Sequence, residues 1–247
     1  MNVYFNNKFN PDHFNFIIGS TLPGFTPDRL LSPYLHYGIP IMPEGPGFIG
    51  EAVIQLVVGE LKADTIVVSG ENIDKVVFQW GGTLENTYES EVYFETASHI
   101  IKKANTIYNV RVRLFPIDIE QPMVLNAVYV GDHLTIPNMK SAPEVSDDLF
   151  SNIERSYEGF ALGYGRAILE VINADFVRIE NDILREIRNK YILKVGNTIP
   201  HWIDLYPEAD DKFSAIWGTL NTGSIKYSKR IEYPFFWDFK LSWTEAK

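Results

Sequence analysis

The sequence predicts an α+β protein: a β-rich antiparallel sandwich or barrel in the middle, a helical block at 146–194 and a long C-terminal β-strand. Three observations carry this reading. Ile231, Tyr233, Phe235, Trp237, Phe239, Leu241 and Trp243 put an apolar side chain at every second residue, the period of a strand with one buried face. Between residues 48 and 136, short apolar or alternating runs recur with Gly, Asn and Asp between them, as in a sandwich. From 146 onward the apolar spacing changes to three and four. The expected divisions are an extended Pro/Gly-rich arm at 1–47, a β-rich domain at 48–138, and a unit at 139–247. In the last, the helical block and terminal strand pack on the same or a neighbouring subunit.

In chain order, residues 19–47 hold Pro23, Gly24, Pro27, Pro33, Gly38, Pro40, Pro43, Gly45, Pro46 and Gly47. Proline fixes φ and lacks an N–H, so neither a helix interior nor a central strand is expected there. Leu30, Leu31, Tyr34 and Tyr37 lie among them, which makes the segment an apolar arm packed on its own core or on a neighbour. Strands are then expected at 52–58, 65–68, 76–80, 91–95, 107–115, 124–130 and 134–136. The clearest is 107–115, with Val110, Val112 and Leu114 on one face and Asn109, Arg111 and Arg113 on the other. Leu149, Ile153, Tyr157, Phe160, Tyr164, Ala167 and Val171 form the first helical series, with Ser146, Asp147 and Asp148 suited to its N-terminus. Phe176, Ile179, Ile183, Ile187 and Tyr191 form a second, ended by Gly196–Asn197. The terminal strand is expected to be regular over 235–243 and antiparallel. Thirteen residues at about 3.3 Å each would run on the order of 40 Å.

Composition bounds the chemistry. At 45% hydrophobic and 14% aromatic, the 247-residue chain can bury a substantial core and is not of disordered type. A formal net charge of −10 and the lack of any basic run argue against sequence-specific nucleic-acid binding. There is no cysteine, which excludes disulfides, thiolate metal sites and cysteine nucleophiles. No secretory signal pattern and no stretch of 18 apolar residues is present, so neither secretion nor a membrane span is expected.

No catalytic motif emerges. His13, His36, His99, His133 and His201 show no metal-ligand spacing, and the G-x-S-x-G elbow is absent. The glycines of 159–165 lack the Lys-Ser/Thr of a phosphate loop and read as close backbone packing. Asp204, Glu208, Asp210 and Asp211 lack calcium-loop order and read as a solvated turn. No catalytic residue, metal site or cofactor is therefore assigned. One constellation has a ligand reading: Trp80, Tyr88, Glu89, Glu91 and Tyr93, with Glu85 and Glu95 nearby, combine aromatic platforms with carboxylates as a sugar site would. The competing reading is a solvated strand face beside a core tryptophan.

The sequence texture therefore predicts a non-enzymatic structural subunit of a larger assembly, of the phage or virus particle kind (neck, tail or baseplate). Its expected partners are copies of itself, in a ring-like homo-oligomer, and other structural subunits, without a membrane. The expected location is a virion or the cytoplasm. Leu30, Leu31, Tyr34, Tyr37, Phe235, Trp237, Phe239 and Trp243 are the expected assembly contacts. The alternative is a carbohydrate-binding or carbohydrate-active protein using Trp80 and its neighbours.

Overall fold

The computed structural model describes residues 1–31, 38–43, 50–81, 88–93, 98–102, 107–155, 161–205, 215–231 and 235–246. In chain order its strands are β1 (Asn2–Tyr4), β2 (Asn15–Ile18), β3 (Ser20–Thr21), β4 (Ile39–Met42), β5 (Ala52–Gln55), β6 (Glu60–Leu61), β7 (Thr65–Glu71), β8 (Ile73–Trp80), β9 (Tyr88–Tyr93) and β10 (Ser98–Lys102). They continue with β11 (Ile107–Tyr108), β12 (Arg111–Pro116), β13 (Met123–Gly131), β14 (Leu134–Thr135), β15 (Glu144–Arg155), β16 (Ala161–Glu180), β17 (His201–Asp204), β18 (Ala215–Leu220), β19 (Lys226–Lys229) and β20 (Phe236–Glu245). The chain divides into two compact units. A sandwich unit comprises Asn6–His133 and Tyr206–Ala215, and a sheet–helix unit comprises Met1–Phe5, Leu134–Leu205 and Ile216–Lys247.

The sandwich unit has two five-stranded antiparallel sheets, β10-β7-β13-β4-β3 and β2-β5-β12-β8-β9, with β6 and β11 as a small extra pair. Period-two side chains meet in register to make its core. Val112 lies opposite both Ile54 and Phe78, and Leu114 opposite both Ala52 and Val76. In the other sheet Val128 faces Val68, and Val130 faces Ile66. All ten are essentially sealed from solvent and belong to one apolar cluster. In β12 the alternate residues are polar: Arg111 Nε donates to Gln55 Oε1 (2.9 Å), and Arg113 to Glu51. The sandwich expected over the middle of the chain is thus what these residues form. Within 1–47, the described residues supply β1 to β4, and Leu30, in the 3-10 turn Pro27–Leu31, is buried in the sandwich core.

The sheet–helix unit is built on a sheet of order β14-β1-β17-β18-β20-β16-β15, with β19 also paired to β20. Its core rows are again cross-strand pairs: Ile172 with Trp243, Ala174 with Leu241, and Phe176 with Phe239, whose rings stack 5.0 Å apart. A single helix covers this face, running Asn181–Glu186, Ile187–Ile192 (a π-helical turn) and Leu193–Val195. Leu184, Ile187, Tyr191 and Val195, spaced at three and four, are its buried stripe. It stops where Gly196 takes φ +54°. Burying Trp243 alone removes on the order of 200 Å2 from water, about 5 kcal/mol before ordering costs.

The helical block expected at 146–194 is corrected: among the described residues its one helix is the 15-residue one at its end, and β15 and β16 occupy most of the rest. Two of the spacings that look helical are β-bulges, and a spacing of four also keeps to one face of a strand. The step of three from Tyr164 to Ala167 falls where the β15–β16 register shifts, and the step from Phe176 to Ile179 falls where the β16–β20 register shifts. At the second bulge Arg178 sits at φ +56°, a left-handed conformation costly for a non-glycine residue. Asp238 stabilises it, accepting from Arg178 N–H (2.9 Å) and from Arg230 Nε (2.9 and 3.0 Å). The Arg230 hydrogen bond is the main reason the Asp238 carboxyl is held below its usual range.

The terminal strand is regular over Phe236–Glu245 and antiparallel, close to the expected 235–243. Its buried face is Phe239, Leu241 and Trp243, whereas Ile231 and Phe235 are 97% and 76% exposed. Among the described residues the alternation therefore marks burial only from Trp237 onward.

Candidate functional site

Trp80 is 8% exposed and lies in the sandwich core, so its ring is not an open platform. The other expected sugar contacts lie on β9, at the margin of its sheet, where Tyr88, Glu89, Glu91 and Tyr93 are in register with Trp80, Gln79, Val77 and Lys75. Glu85 and Glu95 lie outside the described residues. The expected assembly residues separate in the same way. Leu30, Phe239 and Trp243 are core residues, Trp237 is half-buried, and Leu31 and Phe235 are exposed. Tyr34 and Tyr37 lie outside the described residues.

Among the described histidines, His133 Nδ1 is 3.0 Å from Asp64 Oδ1, and His13 Nδ1 accepts from Val58 N–H at 3.4 Å. His201 is sealed inside the sheet–helix unit. Its Nδ1–H donates to the Ile199 carbonyl (3.0 Å), which fixes the tautomer, and its Nε2 accepts from the Tyr191 hydroxyl (2.7 Å). Trp243 Nε1–H donates to that hydroxyl in turn (2.7 Å). Burial pushes the His201 pKa down to about 4 and the Tyr191 phenol up. Each polar atom in this chain is matched, so it serves the core. Among the described residues no three His, Cys, Asp or Glu side chains gather as a metal site would, and no helix is long and apolar enough to cross a membrane.

The arrangement best suited to hold a ligand is a hollow of about 420 Å3 in the sheet–helix unit, between the helix and the β19–β20 hairpin. Its size falls within the ~300–1,000 Å3 range of small-molecule sites. Asn181, Arg185, Arg188 and Asn189 line it from the helix, with Leu184 as an apolar base, and Tyr227 and Trp237 line it from the hairpin. Residues 181, 185, 188 and 189 share one side of a helix by their spacing of three and four. Partial burial raises the Tyr227 phenol above its ordinary value, opposed by the nearby Arg188 charge. Neither guanidinium makes an ion pair among the described residues, and no carboxylate lines the hollow there.

A second hollow of about 260 Å3 lies beside β19, lined by Lys140, Lys226 and Lys240 together with Asp175 and Asp238. Lys240 is directly opposite Asp175 on one side, which offsets its charge, and opposite the like-charged Lys226 on the other.

Arg185 and Arg188 fall between the apolar positions Ile183, Ile187 and Tyr191, so spacing alone puts them on the polar side of a helix, where they are. Spacing does not reach the hollow, because Tyr227 and Trp237 arrive from a hairpin some forty residues later. The available signal is Trp237 itself, the member of the apolar series that follows the exposed Phe235.

No family model matches the chain, and no curated protein matches it. Among solved structures, one described as "X-ray structure of GH31 CBM32-2 bound to GalNAc" aligns with a TM-score of 0.36 and 8% sequence identity, covering 51% of this chain and 98% of that one. A likeness of that degree carries no functional argument.

Proposed function

We propose that this chain is a non-enzymatic subunit of a larger assembly and works through subunit contacts. The observation that supports this is the β15–β16 ribbon. β15 ends its sheet, and β16 pairs with β20 only from Val171 to Glu180, so β16 residues 161–170 have β15 as their one strand partner among the described residues. The overhang of ten residues extends about 33 Å. A two-stranded ribbon is marginal in water by itself, and each open edge offers a row of N–H and C=O groups to another strand. Addition of a strand from a second subunit satisfies both needs. Ile231 and Phe235, exposed beside the β19–β20 hairpin, add apolar surface of the kind contacts cover. Copies of this chain in a ring, within a particle of phage neck, tail or baseplate kind, are the form of assembly the sequence texture suggests.

The test is native mass by light scattering, on the intact chain and on a variant with residues 149–168 replaced by an Asn-Gly turn, which keeps Asp148 opposite Leu169. The intact chain should form a discrete oligomer, and the variant a folded monomer. An intact chain that stays monomeric at high concentration, or a variant that keeps the oligomer, refutes the proposal.

Carbohydrate recognition is the second reading, and the Tyr227–Trp237 hollow is the observation that favours it. Aromatic rings beside side-chain amides and guanidinium groups are what a sugar's apolar face and hydroxyls require. Strand β9, with Tyr88, Glu89, Glu91 and Tyr93, is the sandwich unit's own candidate contact, without Trp80 as a platform. A glycan array probed with Trp237→Ala and with Tyr93→Ala separates the two locations.

A further inference from the structure

We infer that the hollow between the helix and the β19–β20 hairpin selects acidic saccharides, sugars that carry a carboxylate, over neutral ones. This rests on the carbohydrate reading of that hollow and is independent of the assembly reading. The protein carries a formal net charge of −10, so carboxylates outnumber cations, and some cations pair with them. Arg230 does so with Asp238, Arg113 with Glu51, and Lys190 with Glu186. Arg185 and Arg188 do not, although both line the same hollow and lie three residues apart on one helix. Two like charges held side by side repel one another, and an anion seated between them removes that cost. A guanidinium presents a planar fork that matches a carboxylate in bidentate fashion.

The remaining lining fits the rest of such a ligand. Tyr227 and Trp237 bring aromatic rings to the lining for the C–H side of a pyranose, with Lys229 Nζ 6.0 Å from the centroid of the Trp237 ring. The Asn181 and Asn189 amides supply both donors and acceptors for hydroxyls. A free inorganic anion would leave the two aromatic rings unused, and a neutral sugar would leave both guanidinium groups unmatched. The ligand chemistry that uses the whole lining is therefore a ring with hydroxyls and one carboxylate. The positive field of the pair also speeds encounter with an anionic ligand and weakens as salt rises.

The experiment is titration calorimetry of the full chain with N-acetylneuraminic acid and glucuronic acid. N-acetylglucosamine and glucose are the neutral counterparts, and a glutamate-rich peptide is the non-sugar anion. Binding of the acidic sugars at least tenfold tighter than of the neutral ones, weakened by salt, is expected. Arg188→Ala should abolish that preference with an unchanged melting temperature, since the side chain is exposed. Arg188→Lys should restore it only in part, because the charge returns without the fork. Neutral sugars bound as well as acidic ones would overturn the inference and leave the carbohydrate reading standing. No sugar bound at millimolar concentration would overturn both. Tighter binding of the glutamate peptide than of either acidic sugar, or an Arg188→Ala variant with unchanged selectivity, would also overturn the inference.

Discussion

Acid should destabilise the sheet–helix unit through one histidine. His201 is buried and neutral, accepting a hydrogen bond from Tyr191 and donating one to Ile199, and its pKa is pushed down to about 4. In the unfolded chain it returns to about 6.5. Between those values the unfolded state binds the proton and the folded state does not, so stability falls as pH falls. The full shift is about 2.5 units, or about 3 kcal/mol, all of it lost by the time pH drops through 4. About 2 kcal/mol of this is lost by pH 5. The assay is urea denaturation of the intact chain and of His201→Gln, at half-unit steps from pH 7.5 to 4.5. Gln can accept from Tyr191 but does not titrate. Other groups contribute to both curves alike, so the difference between the curves isolates His201. It should shrink as pH falls, with a slope near one proton around pH 5.5. Parallel curves would mean that His201 is protonated, or solvated, in the folded protein, and the buried-network argument would fail.

Two further outcomes follow from packing. Trp80→Ala should cost about 3–5 kcal/mol, read as a large fall in the sandwich unit's melting temperature, because the ring is a core side chain; an unchanged melting temperature would return it to the surface. Gly70→Ala should cost about 1–3 kcal/mol, since a Cβ there would stand 2.5 Å from both the Val124 carbonyl oxygen and Ile73 Cδ1. A neutral Gly70→Ala in chemical denaturation would mean that β7 and β13 are less closely apposed.

The parts of the fold that can be read from sequence are those where one strand carries one uninterrupted period. Val110, Val112 and Leu114 alternate cleanly and become a core row, and Phe239, Leu241 and Trp243 do the same. Where a bulge inserts a residue, the period becomes three for one step, and β16 was misread as helix at both such places. The contrary signal was present: Ile172, Ala174 and Phe176 alternate with Asn173 and Asp175, and β-branched residues are frequent there. Trp80 was ambiguous for a different reason. An aromatic on a strand next to carboxylates looks alike whether it faces the core or solvent, and only the packing of the opposite sheet decides. The hollow was not legible because its two walls are distant in the chain and neither is distinctive without the other.

The interleaving of the two units sets an order of events at the ribosome. Val3 and Tyr4 are fully buried, but β1 pairs with β14 and β17, and β17 ends 200 residues later at Asp204. At roughly 5–20 residues per second, that wait is on the order of 10–40 s. Nearly the whole sandwich unit, 6–133, emerges within it and has its own apolar cluster, so it can fold first while two apolar side chains upstream stay uncovered. β20, which joins β16, β18 and β19, is the last of these strands to be made. A nascent chain halted before it would therefore display a finished sandwich tethered to an open half-sheet, a ready substrate for chaperones and for premature contact with a neighbouring copy.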